Sequence, residues 1–200
     1  MKTRQTILYA AAEVFDEFGY SGSSMRQIMM RAGVTLGAVY FHFANKEALA
    51  KEVMNAQQDS IIPRLTSDGL QRLVDLTLVW SRQLQTDPLL RAGVRLTSEQ
   101  TSFGLHDSTP YEEWGKTMEE CLVTASEAGE LREHVSPHQI AEFVVGACTG
   151  MQMYSDLVNK RADLSERAID MWLLLLPGIV NESFRDSIEV SLERADALVG

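Results

Sequence analysis

Three of the five prolines in this chain stand directly behind a helix-capping residue: Asp87-Pro88, Thr109-Pro110 and Ser136-Pro137. Proline loses nothing at the first helical position, where its missing N–H would have had no partner. An Asp, Thr or Ser just before it can accept a bond from the open amides of the first turn. Each dipeptide therefore reads as a helix start. Thr109 with Glu112 and Ser136 with Gln139 complete capping boxes, and Asp163 with Glu166 adds another. Between these starts apolar residues recur at three- and four-residue spacing, without the alternation of strands. The pattern predicts helices over 3–18, 24–32, 36–43, 46–60, 68–85, 88–98, 110–128, 137–159, 164–176 and 178–197. The expected fold class is all-α.

With 200 residues, 45% of them hydrophobic and 23% charged, the chain can build one or two domains with a real core. Its longest apolar run, Met171 to Leu176, falls far short of the roughly 20 residues that cross a bilayer, so no membrane partner is expected. The first residues enter helical periodicity without a secretory signal, which makes the cytoplasm the expected location. Two isolated cysteines, Cys121 and Cys148, are too few for a disulfide framework or a zinc site; both read as buried thiols, with no metal and no cofactor expected. The net charge of −10 is unevenly divided. Residues 1–54 hold six basic and five acidic side chains, while residues 55–200 hold 12 and 23. The N-terminal part is nearly neutral, and the rest would be repelled by a polyanion.

Within 24–49, two short helical patterns meet at Gly33, which permits the left-handed backbone of a tight turn, and a third helix follows at once. That is a helix-turn-helix, a device for reading DNA. Ser24, Thr35 and Asn45 are the expected caps of its helices, and Met25, Ile28, Met29 and Ala32 give the first helix an apolar face. Gly37 and Ala38 are small enough to let the amide-bearing end of the next helix approach DNA. Tyr40 and His42 can donate to phosphates, Lys46 supplies a cation, and Phe41 and Phe43 are expected to face inward.

The strings AGVT (32–35), GAVYFHF (37–43) and NKEAL (45–49) resemble, in order and spacing, the N-terminal domain of TetR-family bacterial transcriptional regulators. The resemblance implies a DNA-binding domain over 1–50 and an effector-binding and dimerisation domain over 51–200. It assigns Ser24, Arg26, Thr35, Leu36, Gly37, Ala38, Tyr40, His42 and Lys46 to DNA contact or to positioning the helices. Leu36 departs from the pattern, because relatives of this kind usually carry lysine there. Leucine can offer only an apolar contact, for instance to a thymine methyl.

Further strings, LLRAGVRLTSEQ (89–100), PYEEW (110–114), SEAGELRE (126–133) and GMQMYSDLVNKRADLSER (150–167), look like the γ-butyrolactone autoregulator receptors within that family. By that resemblance Trp114 packs over the ring of a butyrolactone, butenolide or furan effector. An indole suits the task, since it offers a broad apolar face and one N–H donor. Met118, with Cys121, Leu122 and Ala125, continues the apolar side of its helix. Thr149 and Gln152 are polar residues on an otherwise apolar helix and could bond a lactone oxygen. Trp80, Gln58, Gln57 and Phe103 are weaker candidates for which plain packing serves equally well. The last two predicted helices are expected to form the homodimer interface. The implied function is a ligand-responsive repressor on operator DNA; the alternative is a pseudo-receptor that senses an antibiotic or intermediate, or no small ligand. His42, His106, His134 and His138 lack a paired nucleophile and orienting carboxylate at a recognisable spacing, so no enzyme is expected.

Overall fold

The first helix, α1 (Lys2–Gly22), buries Ile7, Leu8, Ala11, Val14 and Phe15 along one face and bends at Gly19, whose φ of 68° breaks the helical path. Phe18, four residues past Val14 and three past Phe15, is exposed. The computed structural model describes residues 2–59, 61–62 and 65–200. Among them the regular elements are helices: α2 (Met25–Ala32), α3 (Leu36–His42), α4 (Lys46–Asn55), α5 (Gly69–Thr86), α6 (Pro88–Glu99), α7 (Thr109–Glu127), α8 (Pro137–Asn159), α9 (Leu164–Ile179) and α10 (Leu192–Val199). A single antiparallel bridge, Leu131 with Val180, is the only β pairing among the described residues. None of these helices is long and apolar enough to cross a membrane.

The chain divides into two compact units, residues 1–60 with 86–110, and residues 61–85 with 111–200. A boundary at residue 50 cuts the chain once, whereas compactness also gathers α6 and the 3-10 turn Gln100–Phe103 with the N-terminal helices. The reason is packing. Ile7, Phe15, Ile28, Val39, Leu49, Val53, Leu89 and Leu96 share one apolar cluster, and each such side chain contributes about 1.5–3 kcal/mol when fully buried. Charge and amide bonds fix the same contact. Arg91 pairs with Asp16 at 2.8 Å, and Arg95 donates to the Asp16 carbonyl at 2.6 Å. The Gln57 amide donates to the Met54 carbonyl and the Thr97 hydroxyl at 2.8 and 3.2 Å. Its stem lies so close to Gly93 that an added Cβ there would meet Gln57 Cγ at 2.6 Å.

In the second unit α5 is buried on nearly every side, and its interior polar groups are satisfied. Trp172 of α9 donates from Nε1 to the Thr77 hydroxyl at 2.6 Å, and the Glu130 carboxylate caps α5 by accepting from the Leu70 amide at 2.8 Å. Asp75 is fully buried and holds Arg194 of α10 through two bonds of 2.5 and 2.7 Å. Both cysteines are buried thiols, with burial pushing the pKa of Cys121 up and that of Cys148 up to about 12.

Several expected elements differ. The helix placed over 46–60 ends at Asn55 and tightens into a 3-10 turn, Ala56–Gln58; its expected end at Ser60 lies outside the described residues. The segment 178–197 is not one helix. Ile179 closes α9, a 3-10 turn follows over Glu182–Ser187, and α10 starts only at Leu192. Tertiary pairing ends the helix: the Ile179 carbonyl accepts from the Arg132 amide at 2.9 Å, and Asn181 donates its amide to the Glu130 carbonyl at 2.7 Å. Groups that would continue a helix are taken by the loop after α7. At the start of α7 the amide of Thr109 donates to the Asp107 carboxylate at 3.0 Å, so the cap lies two residues before Thr109. Asp163 caps nothing; it accepts from Arg167 and Ser155, which hold its carboxyl pKa down to about 2.

Candidate functional site

The turn between α2 and α3 follows from its sequence. Ser24 accepts from the Gln27 amide at 3.2 Å and starts α2. Gly33 ends it with φ 65° and ψ 30°, its N–H reaching the carbonyls of Met29 and Met30. Thr35 accepts from the Ala38 amide at 3.2 Å, and Asn45 from the Ala48 amide at 2.8 Å, so both following helices are capped by side chains. Val39 and Phe43 sink into the core and fix the roll of α3. Leu36, Gly37 and Tyr40 are thereby turned outward, with Ala38 and His42 half-buried beside them. Around Gly37 the protein leaves space: an added Cβ would meet nothing nearer than the Thr35 hydroxyl at 4.0 Å. No packing within the chain requires glycine there, which fits a helix end kept slim for an outside partner.

Two residues stand differently from expectation. Phe41 does not face inward; it is 84% exposed, with its ring edge-on to His42 at 5.1 Å. Phe41 and Phe43 are two residues apart, about 200° around a helix, so only one can be buried. That spacing is the signal that one of the two stands on the surface, and Phe41 is the one presented. Lys46 donates to the carbonyls of Tyr20 and Ser23 at 2.8 and 3.0 Å, and its ammonium lies 4.2 Å from the Tyr20 ring centroid. Desolvation there holds its pKa below that of an ordinary lysine. It ties α4 to the bent end of α1, an internal task. Ser24 and Arg26 are exposed on and just before α2, while Arg31 is paired with Glu13 and Glu17 of α1.

The expected effector residues fall in both units. Trp114, Met118, Cys121, Leu122 and Ala125 form the buried face of α7, and Trp80 and Gln152 are buried in the same unit. The Gln152 carbonyl oxygen accepts from Arg161 at 3.3 Å. Thr149 donates its hydroxyl to the Val145 carbonyl at 2.8 Å and faces a groove of about 570 Å³ between α7 and α8. His138 at the rim of that groove has Glu119 at 3.2 Å and Glu142 at 3.6 Å, and the bond to Glu119, then the charge of Glu142, raises its pKa. Gln57, Gln58 and Phe103 belong to the first unit, and Gln57 and Phe103 have packing partners there.

An exposed face of apolar residues runs along α8 and α9. Phe143, Met153, Tyr154, Leu157 and Val158 lie on the first helix, Leu173 and Leu174 on the second. Of the last two predicted helices, the segment 164–176 carries the exposed Leu173 and Leu174, whereas Ile179 and Val180 of the segment 178–197 are buried within their own unit.

A capped helix pair around a glycine turn, presenting a short third helix with a slim and exposed N-terminal end, defines a helix-turn-helix DNA-binding regulator. Residues 7–53 match the family model described as bacterial regulatory proteins of the tetR family, and residues 67–181 match the tetracyclin repressor-like C-terminal domain. The chain belongs to the TetR family. It is 35% identical over 181 residues to the A-factor receptor protein of Streptomyces griseus, an alignment covering 90% of this chain and 65% of that receptor's length. The structure of TylP, a tetr regulator from Streptomyces fradiae, superposes with a TM-score of 0.91 at 37% identity, covering 98% of this chain and 95% of that one. A γ-butyrolactone receptor described as ArpA-like superposes with a TM-score of 0.70 at 27% identity, covering 98% and 95%. These relatives are regulators, not enzymes.

Proposed function

We propose that this chain is a ligand-responsive repressor that binds a roughly palindromic operator as a homodimer and is released by a γ-butyrolactone-like signal. The observation that carries the DNA half is the exposed end of α3, where Leu36, Gly37 and Tyr40 turn outward from a rigidly capped turn. Amides at that end meet phosphate, Tyr40 and His42 donate beside it, and Phe41 offers an apolar face to thymine methyls. Lys46 positions the helices through its bonds to the Tyr20 and Ser23 carbonyls. Dimerisation through the apolar face of α8 and α9 doubles the contacts, as a palindrome requires.

The effector reading rests on Trp114, buried at 8% exposure on α7, and on the similarity to a receptor whose name states that ligand class. A shift of about 1–3 kcal/mol between effector and DNA binding weakens operator affinity roughly 5- to 150-fold. The test uses the DNA flanking the protein's own gene and a synthetic 2-acyl-γ-butyrolactone. The wild type is expected to bind a pseudo-palindrome there and to release it when the lactone is added. Trp114→Phe should keep operator affinity and lose about tenfold in lactone affinity by calorimetry, the scale of a good aromatic contact. Operator binding that no lactone alters would leave a DNA-binding regulator with another signal or none.

Leu36→Lys gives a separate expected result. Each added phosphate contact steepens the dependence of log affinity on log salt by about one unit, so a dimer with one new lysine per protomer steepens by about two. An unchanged slope in a fluorescence anisotropy titration would show that position 36 does not face the backbone.

A further inference from the structure

Phe103 closes the 3-10 turn after α6, in the same unit as the DNA-binding helices. Its ring stacks on Tyr20 with centroids 3.8 Å apart and planes 20° from parallel. Tyr20 stands just past the bend at Gly19, and the Lys46 ammonium lies 4.2 Å from the same centroid. Two groups that near one centroid cannot share a face of the ring. Tyr20 is therefore the middle layer between an aromatic ring and a cation.

Each outer layer is tied to a different part of the unit. Lys46 is the first residue of α4, and it donates to the carbonyls of Tyr20 and Ser23 at 2.8 and 3.0 Å. The Ser23 hydroxyl donates to the Tyr20 carbonyl at 2.6 Å, and the next residue, Ser24, caps α2. On the other side, the Gln100 side chain exchanges two bonds with the main chain of Asp107, at 2.8 and 3.1 Å. Asp107 in turn accepts from the first amide of α7. All three stacked residues are only half-buried, so the stack adds less to the core than to relative position.

We infer that the Phe103–Tyr20–Lys46 stack is the joint that sets where the α2–α3 pair and the start of α4 stand relative to the segment leading into α7. Phe103 is then a positioning residue for operator binding, acting through Tyr20 and Lys46. This rests on the DNA-binding reading above. It also gives Phe103 a task distinct from the effector contact considered from sequence.

The test compares full-length wild type, Phe103→Ala, Phe103→Leu and Phe103→Tyr on the operator fragment, with hydrogen exchange measured on the same samples. Phe103→Ala is expected to weaken operator binding about tenfold, Phe103→Leu somewhat less, and Phe103→Tyr no more than about twofold, following the worth of one aromatic stack. Exchange should rise at 20–24 and 46–49 in the Ala and Leu variants and stay unchanged in α5. The leucine variant keeps apolar volume, so it carries the test if the alanine variant fails to fold. Wild-type operator affinity in either variant overturns the joint, as does an exchange increase spread evenly over all helices. If the wild type itself binds no operator, the DNA-binding reading fails, and the exchange pattern still decides the joint.

Discussion

Asp75→Asn is expected to lower the stability of the C-terminal unit by roughly 3 kcal/mol, because it breaks a buried ion pair from one side. The Asp75 carboxylate is fully buried and accepts four bonds: two from Arg194, one from the Ser67 hydroxyl at 2.5 Å and one from Gln71 at 2.8 Å. Hydrogen bonding to that carboxylate raises the Arg194 pKa, and the intrinsic basicity of a guanidinium keeps Arg194 charged when its partner is removed. Asparagine offers one acceptor oxygen and turns an N–H₂ toward donors. Arg194, Ser67 and Gln71 then compete for that oxygen, and a cation whose side chain is 24% exposed keeps only the outer carboxylate of Glu189, at 2.9 Å, as counter-charge. Loss of the pair also loosens α10, leaving the pair of Arg82 with Asp196 to hold it to α5. Urea unfolding checks the size of the effect. The double variant Asp75→Leu/Arg194→Met should recover much of the loss, since apolar groups of similar volume often replace a buried pair without penalty. A single variant within about 0.5 kcal/mol of wild type, the range of an ordinary surface change, would mean that the pair is not closed in solution.

Local chemistry was legible in the sequence, and long-range chemistry was not. Ser24, Thr35, Asn45 and Ser136 each cap the helix that follows, because a cap needs only the residue itself and amides two or three positions on. Gly33 takes the left-handed conformation for the same local reason. The task of Lys46 could not be read this way. Its partners are carbonyls at Tyr20 and Ser23, freed where α1 ends and offered only once α4 has docked. The segment after Ile179 has good helical periodicity and still leaves the helix, because Arg132 and Glu130 take its backbone groups from across the unit. Phe41 and Phe43 posed a choice of roll on a seven-residue helix, too short for periodicity to settle. The grouping of 86–110 with the N-terminal helices depends on Arg91 and Arg95 finding Asp16, a contact no spacing announces. For the candidate site, the caps and the presented helix were readable. What the sequence lacked was which polar ends were already occupied.

The apolar face on α8 and α9 is the second place where one change should have a large effect. Leu157 is 88% and Leu174 84% exposed, beside Met153, Tyr154 and Leu173, each more than half exposed. A lone soluble unit seldom leaves so many large apolar side chains together in water, and a twofold partner would cover them. Neither leucine contributes to its own unit's core, so Leu157→Glu/Leu174→Glu should leave thermal unfolding at low protein concentration nearly unchanged. Across a twofold interface the same change sets like charges against each other in a dehydrated contact. The variant is expected to sediment as a monomer and to bind the full operator about 100-fold more weakly or worse, because linked heads gain roughly 10²- to 10⁴-fold from sharing one site. Its affinity for a half-site should match that of the wild type, since α3 and its caps lie in the other compact unit. A variant that remains dimeric would move the interface elsewhere, and a monomer with full operator affinity would remove the need for two heads.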